Sequence, residues 1–589
     1  MNKLLYNVLP AVLLIALFGC EKPVTGEDEQ GDKTPVLETV SVSVGQKTLT
    51  ATTVVFECNL DLGQAVSMPL EAYFRYSSTE AMNGGDVKVV KLKTGAQDIK
   101  LTGLVFGKTY YYETFVEMFG AEYNKVKNSF STQNITIEMK PAEQNANVVS
   151  LGGTLKGCGA DDVAELELSL IVAEPDGYEM VYPVDVAEDG SFRKEITDLD
   201  LASQYMYKAV LKQGNLNSVE SAVCSVSTLD PYKDAVKSFT AATDLAVSGT
   251  ANCYIIAAPG SYKFPTVKGN TSAQVGNVAS VRIFWESFGT ATAPSAKEII
   301  SATGYADGYA YVEVPASYKE GNAVVAAYDS SDKILWSWHL WLTNDVIDEI
   351  TYANEAGVMM DRNLGAISDE ANSVGAIGLY YQWGRKDPFL GAASIVDPVY
   401  AVATRRLKVT LNTDETSNVD YAVANPHKFI LGNAGGDWLA SKDNSLWTSV
   451  KTMYDPCPAG WRVPDGGYNG GVGVSAMADG IWAKAGFTRQ GLTPFAEGDS
   501  GKIGKIFSTP FCSAPTWYPA AGSIENKGGT LYEVGVDGIY HSVSAFGGTD
   551  THVTGLIFNY LPSLGGHYIY CGGEKFARAG GYSVRCCKE

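Results

Sequence analysis

The organisation of this chain shows first in the alternation of its apolar and polar positions. After Tyr110 every second residue continues one face, as Tyr112, Thr114 and Val116, and after Tyr205 the same spacing returns as Tyr207, Ala209 and Leu211. A period of two places alternate side chains on one side of a sheet, so each stretch predicts a half-buried strand. The lead-in matches too: Leu101, Leu104 and Tyr110 recur 95 residues later as Ile196, Leu199 and Tyr205. Each unit closes on a strand ending Phe130-Ser131-Thr132 or Val226-Ser227-Thr228. A repeat of that length is a sandwich domain, not a solenoid unit. The pattern predicts sandwiches over 37–133 and 134–230 and a third β-unit over 231–349. In the third, Ser248–Ile256 alternates, Val281–Trp285 is a short strand, and Asn322–Tyr328 with Ile334–Thr343 predict a hairpin around Asp329–Lys333. Trp336, Trp338, Leu340 and Leu342 share one face of its second arm. His339 falls on the other with Leu335 and Trp341, a setting that reads as packing rather than catalysis.

The two sandwich repeats resemble fibronectin type III and related Ig-like domains, the first more closely than the second. The resemblance makes Tyr110 and Tyr205 the corner residues whose hydroxyls bond nearby backbone. Cys158 and Cys224 share the second unit and are a candidate pair; Cys58 has no evident partner.

The first residues follow a different pattern. Lys3 supplies positive charge, and Val8–Gly19 is an apolar run interrupted only by Pro10. The run is too short to span a bilayer and fits a secretory signal over 1–19. It ends Leu17-Phe18-Gly19-Cys20, which resembles a bacterial lipobox, with Phe18 a departure from the usual small or β-branched residue. The resemblance implies cleavage before Cys20 and lipidation of its thiol. Residues 20–36 then form a tether, since Glu21–Thr34 holds almost nothing apolar to bury.

Composition narrows the function classes. The 589 residues allow roughly four domains. A net charge of -21 argues against nucleic acid and against electrostatic docking on anionic lipid. The 33 Tyr and 61 Gly suit β-structure with tight turns. Ten cysteines in an exported chain permit disulfides; with Cys20 as the anchor an odd number remains, so at least one thiol is expected free.

Over 350–589 glycine is dense and strands are short. Five strings stand out: Met360-Asp-Arg-Asn-Leu-Gly-Ala366; Tyr380-Tyr-Gln-Trp-Gly-Arg385 with Asp387-Pro-Phe389; Tyr454-Asp-Pro-Cys-Pro-Ala-Gly-Trp-Arg-Val-Pro464; Trp517-Tyr-Pro-Ala-Ala-Gly522; and Gly581-Tyr-Ser-Val-Arg-Cys586. In order and spacing they resemble the Fibrobacter succinogenes major paralogous domain of fimbrillin-like and other surface lipoproteins of Bacteroides-type bacteria. Two departures are His541, where that family more often has tryptophan, and Cys587, where it has an apolar residue. The resemblance implies a loop-rich α+β, C-type-lectin-like region with paired terminal strands. It also places the Arg585-Cys586 end beside the Cys457 turn, which implies a Cys457–Cys586 disulfide. Cys587 then points the other way as the odd thiol, and Cys512 with Cys571 is a further candidate pair. Arg462 and Arg585 are expected to pair with buried carboxylates such as Asp361.

No enzyme chemistry emerges. A His-Glu-x-x-His motif is missing, Gly473-Val-Ser475-Ala-Met477 fails the nucleophile elbow at its last position, and five histidines offer no metal-ligand spacing. The calcium-lectin strings are also missing, and adjacent Cys586 and Cys587 on opposite faces do not suit a copper site. Neither cofactor nor metal is called for. The expected fold is mainly β: tandem sandwiches, then the C-terminal region. The expected function is a structural or adhesive surface protein anchored in the outer membrane, with a fimbrial accessory or tip subunit as one form of that role. Its partners would be fimbrial subunits, a host matrix protein or a glycan. The alternative is a glycan-binding lipoprotein of a polysaccharide-utilisation system. The aromatic residues Trp482, Trp517, Tyr518 and Tyr568, with Tyr468, Tyr560 and Trp383, are the candidate ligand contacts, on loops that a scaffold would present.

Overall fold

Val54–Asp61 reads VVFECNLD, and in a computed structural model Val54, Phe56, Cys58 and Leu60 turn inward while the residues between them are exposed or half-buried. The structure describes residues 36–589 apart from 66–68, 84–85, 234–237, 291, 394–405, 468–479, 488–503, 508–510, 547–551, 562–565 and 572–574. The signal, Cys20 and the tether therefore lie outside the described residues.

The first sandwich faces a three-stranded sheet (Ser41–Leu49, Val54–Asp61, Gly95–Leu101) against a four-stranded one ordered Lys88–Leu92, Leu70–Ser77, Thr109–Met118, Ala121–Ser131. Phe56 fills the gap, its ring 5.4, 4.9 and 5.3 Å from those of Phe74, Tyr112 and Phe130. In the second sandwich Val148–Lys156 lies between Ser191–Ile196 and Thr136–Met139. The facing sheet is built on Glu179–Val184, Glu167–Ala173 and Gln204–Gln213, with Asn217–Glu220 and Cys224–Ser227 both pairing with Gln204–Gln213. Both tyrosine corners are present: the Tyr110 hydroxyl accepts from Val105 N–H at 2.9 Å and the Tyr205 hydroxyl from Asp200 N–H at 2.9 Å.

A buried carboxylate locks these two sandwiches together. Asp162, on the short helix Ala160–Val163, accepts from the Thr50 hydroxyl at 2.7 Å and from the Thr52 amide and hydroxyl, each at 2.7 Å. The Gly159 amide at 2.7 Å completes the shell. Gln213 adds a second clasp, donating to Leu104 O at 2.7 Å and accepting from Phe106 N–H at 3.2 Å. Ala51 and Phe106, in the first repeat by sequence, are buried in the core of the second sandwich.

The third sandwich has one sheet of Thr243–Asp244, Gly260–Pro265, Tyr309–Val314 and Ala302–Ala306, and another of Cys253–Ile256, Ile334–Leu342, Gly321–Tyr328 and Ser280–Ser287. The hairpin read from the sequence is there, with Gly321 opposite Leu342 and Tyr328 opposite Ile334. Alternation did not anticipate that Ile334–Leu342 is covered on both sides. Trp336, Trp338, Leu340 and Leu342 fill the sandwich core. From the other face Trp341 packs with Met360, Leu364, Trp383 and Trp447 of the C-terminal region. Several polar groups bond on or across this seam, while His339 Nδ1 is buried without a hydrogen bond. Trp341 Nε1 donates to Ala366 O at 3.0 Å, and Ser337 Oγ donates to Asp387 Oδ1 at 2.6 Å. His339 Nε2 meets Asn322 Oδ1 at 2.8 Å, and Asn322 Nδ2 donates to Gly365 O at 2.9 Å. His339 is thus packing, and burial drives its pKa down to about 3, so it is neutral.

In the C-terminal region Gly357–Met360 runs between Glu349–Tyr352 and Cys587–Lys588, which also pairs with Trp461–Arg462, so the two ends of the region lie side by side. A larger sheet is built on Ser523–Ile524, Gly581–Ser583, Asp537–Ala545, His552–Leu561 and Gly566–Cys571. The described helices of the region are short, Val419–Ala424 and Ile481–Lys484, plus a 3-10 turn at Val374–Ala376. Among the described residues no helix is long and apolar enough to cross a membrane.

Two outcomes follow. Burial alone would oppose charge on Asp162, but the bonds from Gly159, Thr52 and Thr50 outweigh it and hold its pKa below the ordinary value of 3.8. Its stabilisation is therefore present above that value and lost as pH falls through the lower folded pKa. Asp162→Ala should cost on the order of 3 kcal/mol near neutral pH in denaturant unfolding, because three or four donors lose a charged acceptor. A change under about 0.5 kcal/mol, the range of ordinary surface sites, would remove Asp162 from the joint. The seam at Trp341 predicts that residues 231–589 unfold as one cooperative unit and that 350–589 alone are soluble only as an aggregate or molten form. Two separate calorimetric transitions for 231–589 would contradict the shared core.

Candidate functional site

The five strings from the sequence prove to be scaffold. In Met360–Ala366, Asn363 Nδ2 donates to Ile377 O at 3.0 Å. Gly365 sits at φ +83, where a Cβ would stand 2.6 Å from the Leu379 side chain. Gln382 Nε2 donates to Ile430 O and Ala579 O, each at 2.7 Å. Trp383 Nε1 donates to Ser542 O at 3.0 Å. Asp455 accepts from Cys457 and Val463 N–H at 2.9 Å each, and burial pushes its pKa up to about 6. Arg585 bonds Asn363 Oδ1 at 3.1 Å, Thr516 Oγ1 at 2.9 Å and the Trp517 carbonyl, and its guanidinium lies 3.7 Å from the Tyr518 ring centre. Its partners are neutral, contrary to the expected carboxylate, because Asp361 is taken by Arg362 at 2.8 Å and Arg462 pairs with Asp465 at 2.7 Å. His541 fills the place where tryptophan was expected, its ring 5.4 Å from Trp447 and 5.1 Å from Tyr582, with Nε2 donating to Tyr381 O at 2.8 Å.

The nominated aromatic platform is not at the surface. Trp482 and Tyr518 are buried and bond each other, Trp482 Nε1 to Tyr518 Oη at 3.2 Å, and Tyr518 also bonds the Tyr352 hydroxyl. Trp517 is 7% exposed and Trp383 fully buried. These four rings fill the core because the strands carrying or flanking them are too short to bury enough apolar surface otherwise. Tyr468 lies outside the described residues, as do the side chains of Tyr560 and Tyr568.

A disulfide joins Cys457 to Cys586 across 129 residues, the pair implied by the family resemblance. Cys158 and Cys224 are free thiols instead of a pair. They belong to opposite sides of the second sandwich, and each Sγ meets a local carbonyl, Gly159 O at 3.6 Å and Ala222 O at 3.8 Å. Cys512 and Cys571 are also free; Cys571 Sγ is turned onto Phe487 O at 2.6 Å. Cys587 is free and buried, and burial pushes its pKa up to about 12. Cys58 and Cys253 are free and buried as well. Among the described residues no three His, Cys, Asp or Glu side chains stand together as a metal site.

The concave feature that sequence reading missed is a cleft where the second sandwich, the third sandwich and the C-terminal region meet. Its volume is about 440 Å³, and its walls include Asp176, Asp200, Arg282, Phe284, Tyr328 and Lys408. Arg406 and Lys408 of the C-terminal region clamp it shut on one side. Arg406 bonds Glu174, reaches Asp176 at 2.8 Å and lies 3.9 Å from the Tyr178 ring centre, while Lys408 pairs with Asp200. Burial works against charge on Asp176, but bonds from Tyr178 N–H and Arg406 prevail and lower its pKa. On the opposite wall Arg282 lies 3.8 Å over Tyr328 and pairs with Asp230 and Asp332 at 3.1 and 2.6 Å. Arg282, Phe284 and Tyr328 lie on strands that the sequence pattern located, but that pattern does not bring them to Asp176, Asp200 and Lys408. Only their convergence in space makes them a site.

No protein-family model matches the chain, and no curated protein matches it. Among solved structures, a two-domain fibronectin type III segment of chicken tenascin is similar over 32% of this chain and 97% of its own, at 12% identity and a TM-score of 0.17. The chicken interferon gamma receptor alpha chain is similar over 32% and 98%, at 11% identity and a TM-score of 0.18. The chain is a mainly β protein of tandem fibronectin type III-like sandwiches, as its own sheet order and two tyrosine corners establish.

The clamp predicts a local response. Arg406→Ala leaves Glu174, 8% exposed in its side chain, without its shortest ionic contact. Breaking such a pair costs about 3 kcal/mol. Hydrogen exchange at the Glu174–Tyr178 turn should accelerate accordingly while the first sandwich is unaffected. Unchanged exchange at that turn would show that the clamp holds nothing.

Proposed function

We propose that the protein is a lipid-anchored component of the bacterial cell envelope with a structural or adhesive role, held in the outer membrane through Cys20 and displayed at the surface. The observation that carries this reading is the locked joint between the first two sandwiches, where Asp162 ties the second to Thr50 and Thr52 of the first. A chain of sandwiches joined by buried bonds holds its far end at a set distance and orientation from its attachment point, which is what a surface spacer requires. The lipobox-like Leu17–Cys20 and the apolar-poor tether support the attachment. Two acyl chains, at about 0.8 kcal/mol per buried CH₂, suffice to hold it.

The C-terminal region is read as a domain of the Fibrobacter succinogenes major paralogous kind. Its five ordered strings and its side-by-side ends support that reading. Because it shares a core with the third sandwich, the binding unit is the pair together. Its partners are fimbrial subunits, a host matrix protein or a glycan. The cleft favours one second reading, a glycan-binding lipoprotein of a polysaccharide-utilisation system. Its volume and its mixture of Phe284 and Tyr328 with paired charges suit a small saccharide.

Cys20→Ala should move the protein from the membrane fraction to the soluble fraction of cells. Retention with unchanged detergent partitioning would end the anchoring claim. The whole mature chain, screened against matrix proteins, a glycan array and purified fimbrial subunits, should bind one class. Binding to none of them would leave the adhesive role without support.

A further inference from the structure

The linker that follows the second sandwich reaches the third at Tyr232, which is buried. Its hydroxyl is the hub of a small closed network. It accepts from Lys297 N–H at 2.9 Å, donates to Ile300 O at 2.9 Å, and lies 3.3 Å from Glu286 Oε2. The other Glu286 oxygen, Oε1, accepts from Ile300 N–H at 2.7 Å. The loop Pro294–Ile300 that supplies these groups also touches the second sandwich. Asn147 Nδ2 donates to Pro294 O at 3.3 Å, and Ala296 N–H donates to Asn147 Oδ1 at 3.2 Å. Both strands of the joint between the second and third sandwiches, linker and loop, therefore converge on one carboxyl.

We propose that this joint is a pH-sensitive latch, with the Glu286 carboxyl as its switch.

The argument is one of proton counting. A tyrosine hydroxyl has a single hydrogen to give. If Glu286 is ionised, Oε2 and Ile300 O compete for that hydrogen, and the Lys297 amide is divided between Tyr232 Oη and the carboxylate, so the network has fewer hydrogens than acceptors. If Glu286 is protonated, its own O–H donates to Tyr232 Oη, the tyrosine hydrogen goes to Ile300 O, and all four groups are satisfied. The closed geometry is thus that of the neutral acid. The charged groups around it agree. Glu298 turns its carboxylate back onto Ser295 N–H at 2.9 Å, and Arg282, the cation beside Asp230, is taken up by Asp230 and Asp332 at 3.1 and 2.6 Å, so among the described residues Glu286 has no ion-pair partner. Burial, with a smaller repulsion from Glu298, raises the Glu286 pKa from 4.5 to about 7, even against the bonds from Ile300 and Tyr232 and the nearby Lys297 amide.

The sign follows from linkage. A carboxyl whose folded pKa is raised binds its proton more tightly in the closed state, so closure is favoured at low pH and weakens as pH rises through the interval from 4.5 to about 7. If the opened joint returns Glu286 to water, the opening constant grows about tenfold per pH unit across that interval and levels off above it. The latch is independent of what the protein binds, and its test reads the joint alone.

The test is amide hydrogen exchange of the full chain from about pH 5 to about pH 9, corrected for the intrinsic rate. In the native sequence Ala296 and Ile300 should lose protection together as pH rises to neutrality and then level off. Glu286→Gln, neutral at every pH, should remove that slope. Tyr232→Phe, which keeps the ring and deletes the hub, should leave Ala296 poorly protected throughout. An equal slope in Glu286→Gln and the native chain would overturn the proposal. So would a slope at Ile300 with none at Ala296, since the effect would then stay inside the third sandwich.

Discussion

The strand Ile334–Leu342 is the element on which the second half of the molecule depends. A strand in an antiparallel sheet commonly buries one face and wets the other. Here Trp336, Trp338, Leu340 and Leu342 serve one core, and Trp341 serves a second built largely from residues beyond 350. The cost of burying polar groups on the second face is met in part, through Ser337, His339 Nε2 and Asn322, and His339 Nδ1 stays without a hydrogen bond. Removing the C-terminal region would leave a tryptophan-bearing sheet face in water. Removing the third sandwich would strip one wall from the core around Trp383 and Trp447. Neither half is a free-standing module.

That arrangement explains what the sequence could and could not disclose. Alternation located the strands of the first two sandwiches and the hairpin of the third, because period-two patterns report local geometry directly. The corner tyrosines were legible through the resemblance to fibronectin type III domains, which the repeated spacing around Tyr110 and Tyr205 carried. Alternation also placed Trp341 opposite Trp336 and Trp338, as found, whereas Leu335, expected beside Trp341, packs against the Trp336 core. It does not say what covers a face. Asp162 was equally invisible: it lies in a short turn of ordinary acidic composition, and its partners Thr50 and Thr52 are about a hundred residues away in sequence.

The described candidate ligand contacts are buried for a related reason. In a region of short strands, aromatic residues are the main source of buried apolar area, so Trp482, Trp517 and Tyr518 went inward. Tyr518 and Arg585 then form one stacked, hydrogen-bonded node instead of a platform. The cleft among the three units was unreadable because its walls come from segments as far apart as Asp176 and Lys408. Loops near one another in sequence invited a local site, but concavity arose between units, where ligand sites commonly occur.

The neighbouring cysteines at the end of the last strand carry a further implication. Cys586 is bonded to Cys457 in the core around Trp383, while Cys587 enters the separate core around Tyr352 and Met359. Side chains on a strand alternate, so a slip of one residue would bring Cys587 to Cys457 and turn the terminal segment inside out, drawing Arg585 away from Asn363 and Thr516. One register of the last strand is therefore the one that satisfies the Cys457–Cys586 bond and the Arg585 hydrogen bonds together, so the covalent link and the polar contacts specify the same alignment of the terminal segment.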